Sequence, residues 1–407
     1  MTSIETRTSW VVATVSLAIM ATAFGAPYVA VVGLKAIAAD VGSARSVPAL
    51  ASSLTWFGAG LGGIAMGRIA DRIGVRWTVL VGGIMIAAGL ALASRGAVWQ
   101  LYVGHGVLMG LFGNAGINAP LYVYVSRWFD RRRGTALALI SSGQYVAGSL
   151  WPPVFEHLIA AYGWHKTMLM FGGIEVVVVV PLALLFLRPP PESKLVAAAT
   201  SGIVSGAPVL GWPPNLVFGM LCAASFCCCV PMAMPQGHIV AFCSDLGIPA
   251  SHGAAMLSVL LGTAFFSRQM WGYISDRIGG LQTVLTGSGW QMTSMIALLS
   301  TQSEIGLFTV VGFFGLGFSG IIPAYVLGLR EMFPAAEAGW RVPTLLLFSG
   351  WGMAAGGWMA GSIYDYFGFY APAFATGIGF NALNFVIVGV LVLRYRRTRA
   401  VAVAASA

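Results

Sequence analysis

Charge is what this chain has least of. Only 9% of its 407 residues are Asp, Glu, Lys or Arg, against roughly 25% in soluble domains, while 58% are hydrophobic. That excludes an ordinary soluble fold and leaves an all-α membrane protein embedded in a lipid bilayer. Acid is scarcer than base, 13 residues against 22. The net charge of +9 lies in short gaps between apolar runs and not on one face of a soluble module, which excludes nucleic acid as a partner. Lysine is nearly missing, three residues against nineteen Arg. With abundant Ala and Gly, that bias associates the chain with a GC-rich bacterial gene, so a multi-pass place in a bacterial inner membrane is expected. Cysteines are few, and Cys222, Cys227, Cys228, Cys229 and Cys243 fall in or beside one apolar run. Three adjacent cysteines point around a helix in different directions, which suits neither a disulfide nor a metal site. No metal or cofactor is expected. No nucleotide-binding loop appears, and nothing points to an enzyme. No small-residue cleavage site follows MTSIETRTSW, so the first apolar run reads as retained.

What is present is a succession of apolar runs of about twenty residues, the length a membrane helix needs. They predict twelve spans: Trp10 to Val32, Val47 to Gly67, Trp77 to Ala93, Val98 to Val125, Gly134 to Ala160, Lys166 to Leu187, Pro213 to Val240, His252 to Gly272, Leu281 to Leu299, Glu304 to Leu327, Val342 to Ile363 and Tyr370 to Leu393. The N-terminus, the even-numbered loops and the tail hold 17 of the 22 basic residues, and the opposite loops hold Lys35, Arg45, Arg95 and Lys166. Both termini are therefore cytoplasmic. The Pro-, Ser- and Gly-rich stretch 188–212 reads as a linker between two six-helix halves, residues 1–187 and 213–407. A repeat supports the division: Gly67, Asp71, Arg72, Gly74 and Arg76 recur as Gly272, Asp276, Arg277 and Gly279, with no second copy of the last arginine.

Arg268 stands inside the eighth run, and no Asp or Glu lies between Asp245 and Asp276. A guanidinium cannot shed its charge, so it must meet a wet cavity or an anion. Two plainer readings stay open: snorkelling to the interface, or bonding to backbone carbonyls of a neighbouring helix.

The loop Gly67-x-x-x-Asp71-Arg72-x-Gly74-x-Arg76 resembles the signature of the major facilitator superfamily. That resemblance implies a conformational latch at Gly67, Asp71, Arg72, Gly74 and Arg76, echoed at Gly272, Asp276 and Arg277. A narrower resemblance, to the monocarboxylate transporters and oxalate/formate antiporters, rests on Trp128-Phe129-x-x-Arg132-Arg133, Ser142-Gly143-x-x-x-x-Gly148, Pro152-Pro153 and Tyr162-Gly163-Trp164. It puts Arg268 at the substrate-binding arginine and Lys35 at the lysine ending the first helix. Two departures matter. Ala264 stands where animal members carry an aspartate, and 342–363 lacks the second cation of the oxalate exchanger. One fixed charge favours a monoanion.

The superfamily's cavity helices then nominate Phe24 and Tyr28, Asn114, Asn118 and Tyr122 at helical spacing, Tyr145, Tyr325, Phe348 and Trp351, each open to an ordinary packing role. Tyr124 and Trp128 are assigned to the membrane interface. Proton-coupling candidates are Lys35, His105 and His238 near the outer water, and Glu175, which is expected at the periphery. The expectation is a secondary transporter of a small monocarboxylate with a proton, acting as a monomer by alternating access. The alternatives are an organic-anion exchanger, a transport-inactive carboxylate receptor, against which the short loops and tail speak, and a multidrug exporter.

Overall fold

The computed structural model describes residues 5–42, 44–129, 131–189, 208–334 and 337–406. Most of the expected linker lies outside them. Helices are α1 (Arg7–Ala23), α2 (Ala26–Val32), α3 (Leu34–Asp40), α4 (Ser46–Ile73), α5 (Val75–Ala93) and α6 (Val98–Tyr102). A π-helical segment, Val103–Asn114, leads into α7 (Ala115–Ser126), α8 (Arg133–Ser141) and α9 (Gly143–Phe186). The second half holds α10 (Pro214–Asp245), α11 (Ala250–Ile278), α12 (Gly280–Ser300), α13 (Glu304–Phe318), α14 (Ile321–Met332), α15 (Ala338–Phe367) and α16 (Ala371–Ser406).

These make twelve transmembrane helices in two six-helix halves. The first span is α1 and α2, broken at Gly25 before Pro27, whose ring cannot continue a helix's hydrogen bonds. The fourth is α6, the π segment and α7. The fifth is α8 with the start of α9, which turns into the sixth at Gly163, where φ is +78°. The tenth is α13 and α14. Counted across short breaks, eight helical stretches among the described residues are long and apolar enough to cross a membrane by themselves, and one of these, 134–186, holds two spans. The other three spans fall short for local reasons: the fourth is divided, and α12 and α15 are diluted by Gly, Ser and Thr.

Each half has its own apolar core. Phe129, Phe155, Phe171 and Trp164 centre the first; Phe314, Phe318, Phe333 and Phe374 centre the second. Small residues let the helices close up. A side chain at Gly58 or Gly62 would run into the backbone of the fourth span, and one at Gly315 into the Leu260 carbonyl of α11. The repeated loop has one backbone reason for its glycine: Gly74 and Gly279 both end their helices at positive φ, +90° and +83°, a region that other residues enter only with strain.

The halves touch mainly toward the outer side. Along α4 and α15, Gly361 meets Ala49, Gly357 meets Ser53, and Phe57 stacks on Trp351. Along α9 and α11, Gly148 meets Leu261 and Gly262 meets Ser149. At the cytoplasmic ends of α4 and α11, Gly67 and Gly272 have no atom within 4 Å of where a Cβ would stand, and Ile73 and Tyr273 are exposed. These contacts between the halves thus close the outer side, and the cytoplasmic ends of α4 and α11 stand apart from them.

Candidate functional site

Arg268 sits on α11, between the outer contacts and the cytoplasmic end of the helix. Around it α11 is pinned to α13, because Ser267 Oγ and Trp271 Nε1 both donate to the Leu316 carbonyl. The arginine crosses instead to the other half, where its Nη1 donates to the Ser141 carbonyl at 3.0 Å. Its guanidinium lies 5.0 Å from the centre of the Tyr145 ring, and Tyr145 in turn packs edge-on against Phe318. The Tyr122 hydroxyl interacts with Arg268 and Ser141, and Tyr28 lies against Gly148 beside Tyr145. Arg268 Nε is buried with no acceptor. Among the described residues no carboxylate pairs with this arginine. The bland reading of backbone bonding thus accounts for one nitrogen and leaves a donor unused.

The nominated residues divide. Arg268, Tyr28, Tyr122 and Tyr145 come together. From Asn114 onward the fourth span is α-helical, so Asn114, Asn118 and Tyr122 share a face. Asn118 is half-buried, and Asn114 is buried with Oδ1 unpartnered. Phe24 packs on Trp56. Tyr325 does not join them: it is fully buried in the second core, with its hydroxyl donating to Asn384 Oδ1 of α16. Phe348 and Trp351 are displaced too. They meet each other, and Trp351 stacks on Phe57 and lines an apolar groove of about 290 Å³ between α4 and α15, together with Leu54 and Trp358. On α4, Trp56 faces the first span through Phe24, and Phe57 lies about 100° further round, away from it.

The proton candidates also move. His105 and His238 are buried and not near water. His105 Nδ1 is bonded to the Leu101 carbonyl, 3.0 Å away, inside its own span. His238 lies between the Tyr370 hydroxyl at 3.0 Å and the Gly357 carbonyl at 2.8 Å. Glu175 is peripheral, beside Gly83 and Val179 of the third and sixth spans, with both carboxyl oxygens buried and unpartnered. Lys35 donates to Ser244 Oγ at 2.9 Å and Asp245 Oδ1 at 3.1 Å. That places it in an outer contact between the halves.

Sequence reasoning missed this outer network, because its members read as ordinary loop charges. Arg45 forks onto Asp245 at 2.5 and 2.7 Å, donates to the Tyr370 hydroxyl, and lies 3.7 Å from the Tyr364 ring centre. Burial opposes its charge, but the hydrogen bonds it donates to Asp245 and Tyr370 outweigh burial and raise its pKa above the ordinary arginine value. Asp365 accepts from the amides of Arg45 and Ser46 at the start of α4, a carboxylate at a helix N-terminus.

At the cytoplasmic side Asp71 pairs with Arg127 at 2.8 Å, within the first half. Arg76 donates to the Leu187 carbonyl. In the second copy the carboxylate at the α12 N-terminus is Glu331, not Asp276, and Arg277 turns to Tyr273. A latch joining Gly67–Arg76 to Gly272–Arg277 is not engaged here; the ion pairs that join the halves, among the described residues, are both on the outside. Tyr124 and Trp128 are buried, not interfacial, and Tyr124 bonds the Arg188 carbonyl.

The model of the Major Facilitator Superfamily matches residues 11–339. The chain is 25% identical over 338 residues to the MFS-type transporter opdF of Penicillium oxalicum, covering 81% of this chain and 76% of that one. It is 25% identical over 318 residues to monocarboxylate transporter 13 of Bos taurus, covering 77% and 72%. The fold matches a crystal structure of a bacterial homologue of the human lysosomal transporter Spinster, with a TM-score of 0.69, 96% of each chain covered and 16% identity. Arginine-centred seam, paired six-helix halves and family match agree, and the chain belongs to the Major Facilitator Superfamily.

Proposed function

We propose that the protein is a secondary active transporter of small monocarboxylates, of lactate or pyruvate size, working by alternating access in a cell membrane. The observation that carries this is Arg268: a permanent cation at the seam between the halves, with a buried unused donor, no carboxylate partner among the described residues, the Tyr122 hydroxyl and the Tyr145 ring against it and Tyr28 beside Tyr145. A carboxylate supplies the missing charge and acceptors, and the aromatic rings supply walls for a short apolar remainder. One cation leaves a second carboxylate unmatched, so a monoanion fits better than oxalate. The monocarboxylate transporters among the relatives lend support.

Proton symport is the coupling we favour. Lys35 stands in the outer contact between the halves, where a change of charge acts directly on opening, and His238 lies one bond behind that contact through the Tyr370 hydroxyl that Arg45 also bonds; the proton can also arrive as the undissociated acid. The test is uptake of labelled lactate, pyruvate, formate and oxalate into proteoliposomes, with and without an inward proton gradient. Gradient-driven accumulation of a monoacid supports symport. Uptake that ignores the gradient but requires internal anion means exchange, and no uptake of any monoacid removes the reading.

A further inference from the structure

Arg268 is held by a carbonyl that an unbroken helix would not offer. In a continuous fifth span the Ser141 carbonyl would accept from the Tyr145 amide. Instead the Tyr145 and Val146 amides both bond the Ser142 carbonyl at 3.0 Å, and the chain breaks between α8 and α9. The break has a local cause. The hydroxyls of Ser141 and Ser142 both fold back on the Ala138 carbonyl, at 2.9 and 2.8 Å, and compete with the helical ladder. Gly143, next in sequence, presses against Met20 of α1 with no room for a side chain. The Ser141 carbonyl is thereby free, and Arg268 Nη1 of the other half takes it.

We infer that the Ser141 carbonyl, freed by the break at Ser142, is the positioning group for Arg268. It fixes Nη1 from across the seam, so that the planar fork is held in one orientation and the unpaired Nε is left for substrate. Because donor and acceptor belong to different halves, the bond is also one of the contacts that hold the halves in this outer-closed form. This rests on the carboxylate reading of Arg268 for its consequence, though not for the bond itself.

Ser142→Ala and Ser142→Gly test it together. Both remove the hydroxyl, but alanine favours a continuous helix and glycine tolerates the break. Two measurements are needed. The first uses no substrate: distances between spin labels at Ala160→Cys and Ser251→Cys, exposed outer positions on opposite halves, with the native cysteines buried. Ser142→Ala and Arg268→Ala should broaden the short, closed-state distance, and Ser142→Gly should keep it. The second is the half-saturating lactate concentration for uptake. It should rise roughly tenfold in Ser142→Ala, with the maximal rate within about twofold, and stay near wild type in Ser142→Gly. Distances unchanged in Ser142→Ala and Arg268→Ala would overturn the inference. So would equal losses in Ser142→Ala and Ser142→Gly, which would mean that the hydroxyl matters and the carbonyl does not. If the distances respond as expected but wild type takes up no monocarboxylate, the positioning bond stands and the substrate reading falls.

Discussion

Arg45 of the first half and Asp245 of the second form a two-pronged ion pair at 2.5 and 2.7 Å that closes the outer side of the molecule. Lys35 adds a second cation to the same carboxylate. Asp245 is the shared anchor, and Arg45, with little of its side chain exposed, is the partner that matters.

Asp245→Asn should therefore shift the population toward outer-open forms. Loss of a forked, partly buried pair costs about 1–3 kcal/mol, a factor of roughly 5 to 150 in the closed-to-open ratio. Lys35→Ala, removing a more exposed cation, should cost under about 1 kcal/mol. The distance between spin labels at Ala160→Cys and Ser251→Cys checks both, and the charge-reversed pair Arg45→Asp with Asp245→Arg should restore much of the closure.

Tyr122 and Tyr325 make a contrasting pair. Tyr122→Phe, losing a hydroxyl beside Arg268, should raise the half-saturating lactate concentration by roughly five- to thirtyfold with stability little changed. Tyr325→Phe should leave that concentration unchanged and lower thermal stability by about 1–3 kcal/mol, because Asn384 Oδ1 loses its buried donor. Equal effects on lactate affinity would contradict the placement of Tyr325 in the second core.

Glu175→Gln keeps the shape of a buried carboxyl that touches nothing polar. Lactate accumulation under a proton gradient should survive it. Abolished gradient dependence with lactate binding intact would instead make Glu175 the proton carrier.

Asp71 and Arg127 are both well exposed, so breaking their bond should change stability by less than about 1 kcal/mol, and less still at high salt. A melting curve of Arg127→Ala at two ionic strengths checks this.

Much of the architecture was legible because membrane spans write themselves as apolar length and loops as clustered arginine. The repeat at Asp71 and Asp276 pointed to two halves for the same reason. Arg268 stood out because an intramembrane cation has few plain explanations. What was not legible depends on which way a helix is turned. Tyr325, Phe348 and Trp351 occupy spans that line such cavities, but Tyr325 is buried in the second core, Phe348 packs against that core, and Trp351 lines a groove beside α4. Nor could spacing show that two serines at 141 and 142 would break the fifth span, since serine is tolerated in helices and only the Ala138 bonds reveal the competition. The outer network was hidden because Arg45 and Asp245 are 200 residues apart.

The most direct measurement is lactate binding and gradient-driven uptake by wild type, Arg268→Lys and Arg268→Ala in the same proteoliposomes. Wild type should accumulate lactate. Arg268→Lys, which keeps the charge but not the fork, should retain weakened uptake, and Arg268→Ala should bind and transport at least a hundredfold less, as expected for about 3 kcal/mol or more lost with a charge-assisted forked contact. Lactate accumulation at near wild-type levels in Arg268→Ala would contradict the assignment of this arginine as the substrate's partner.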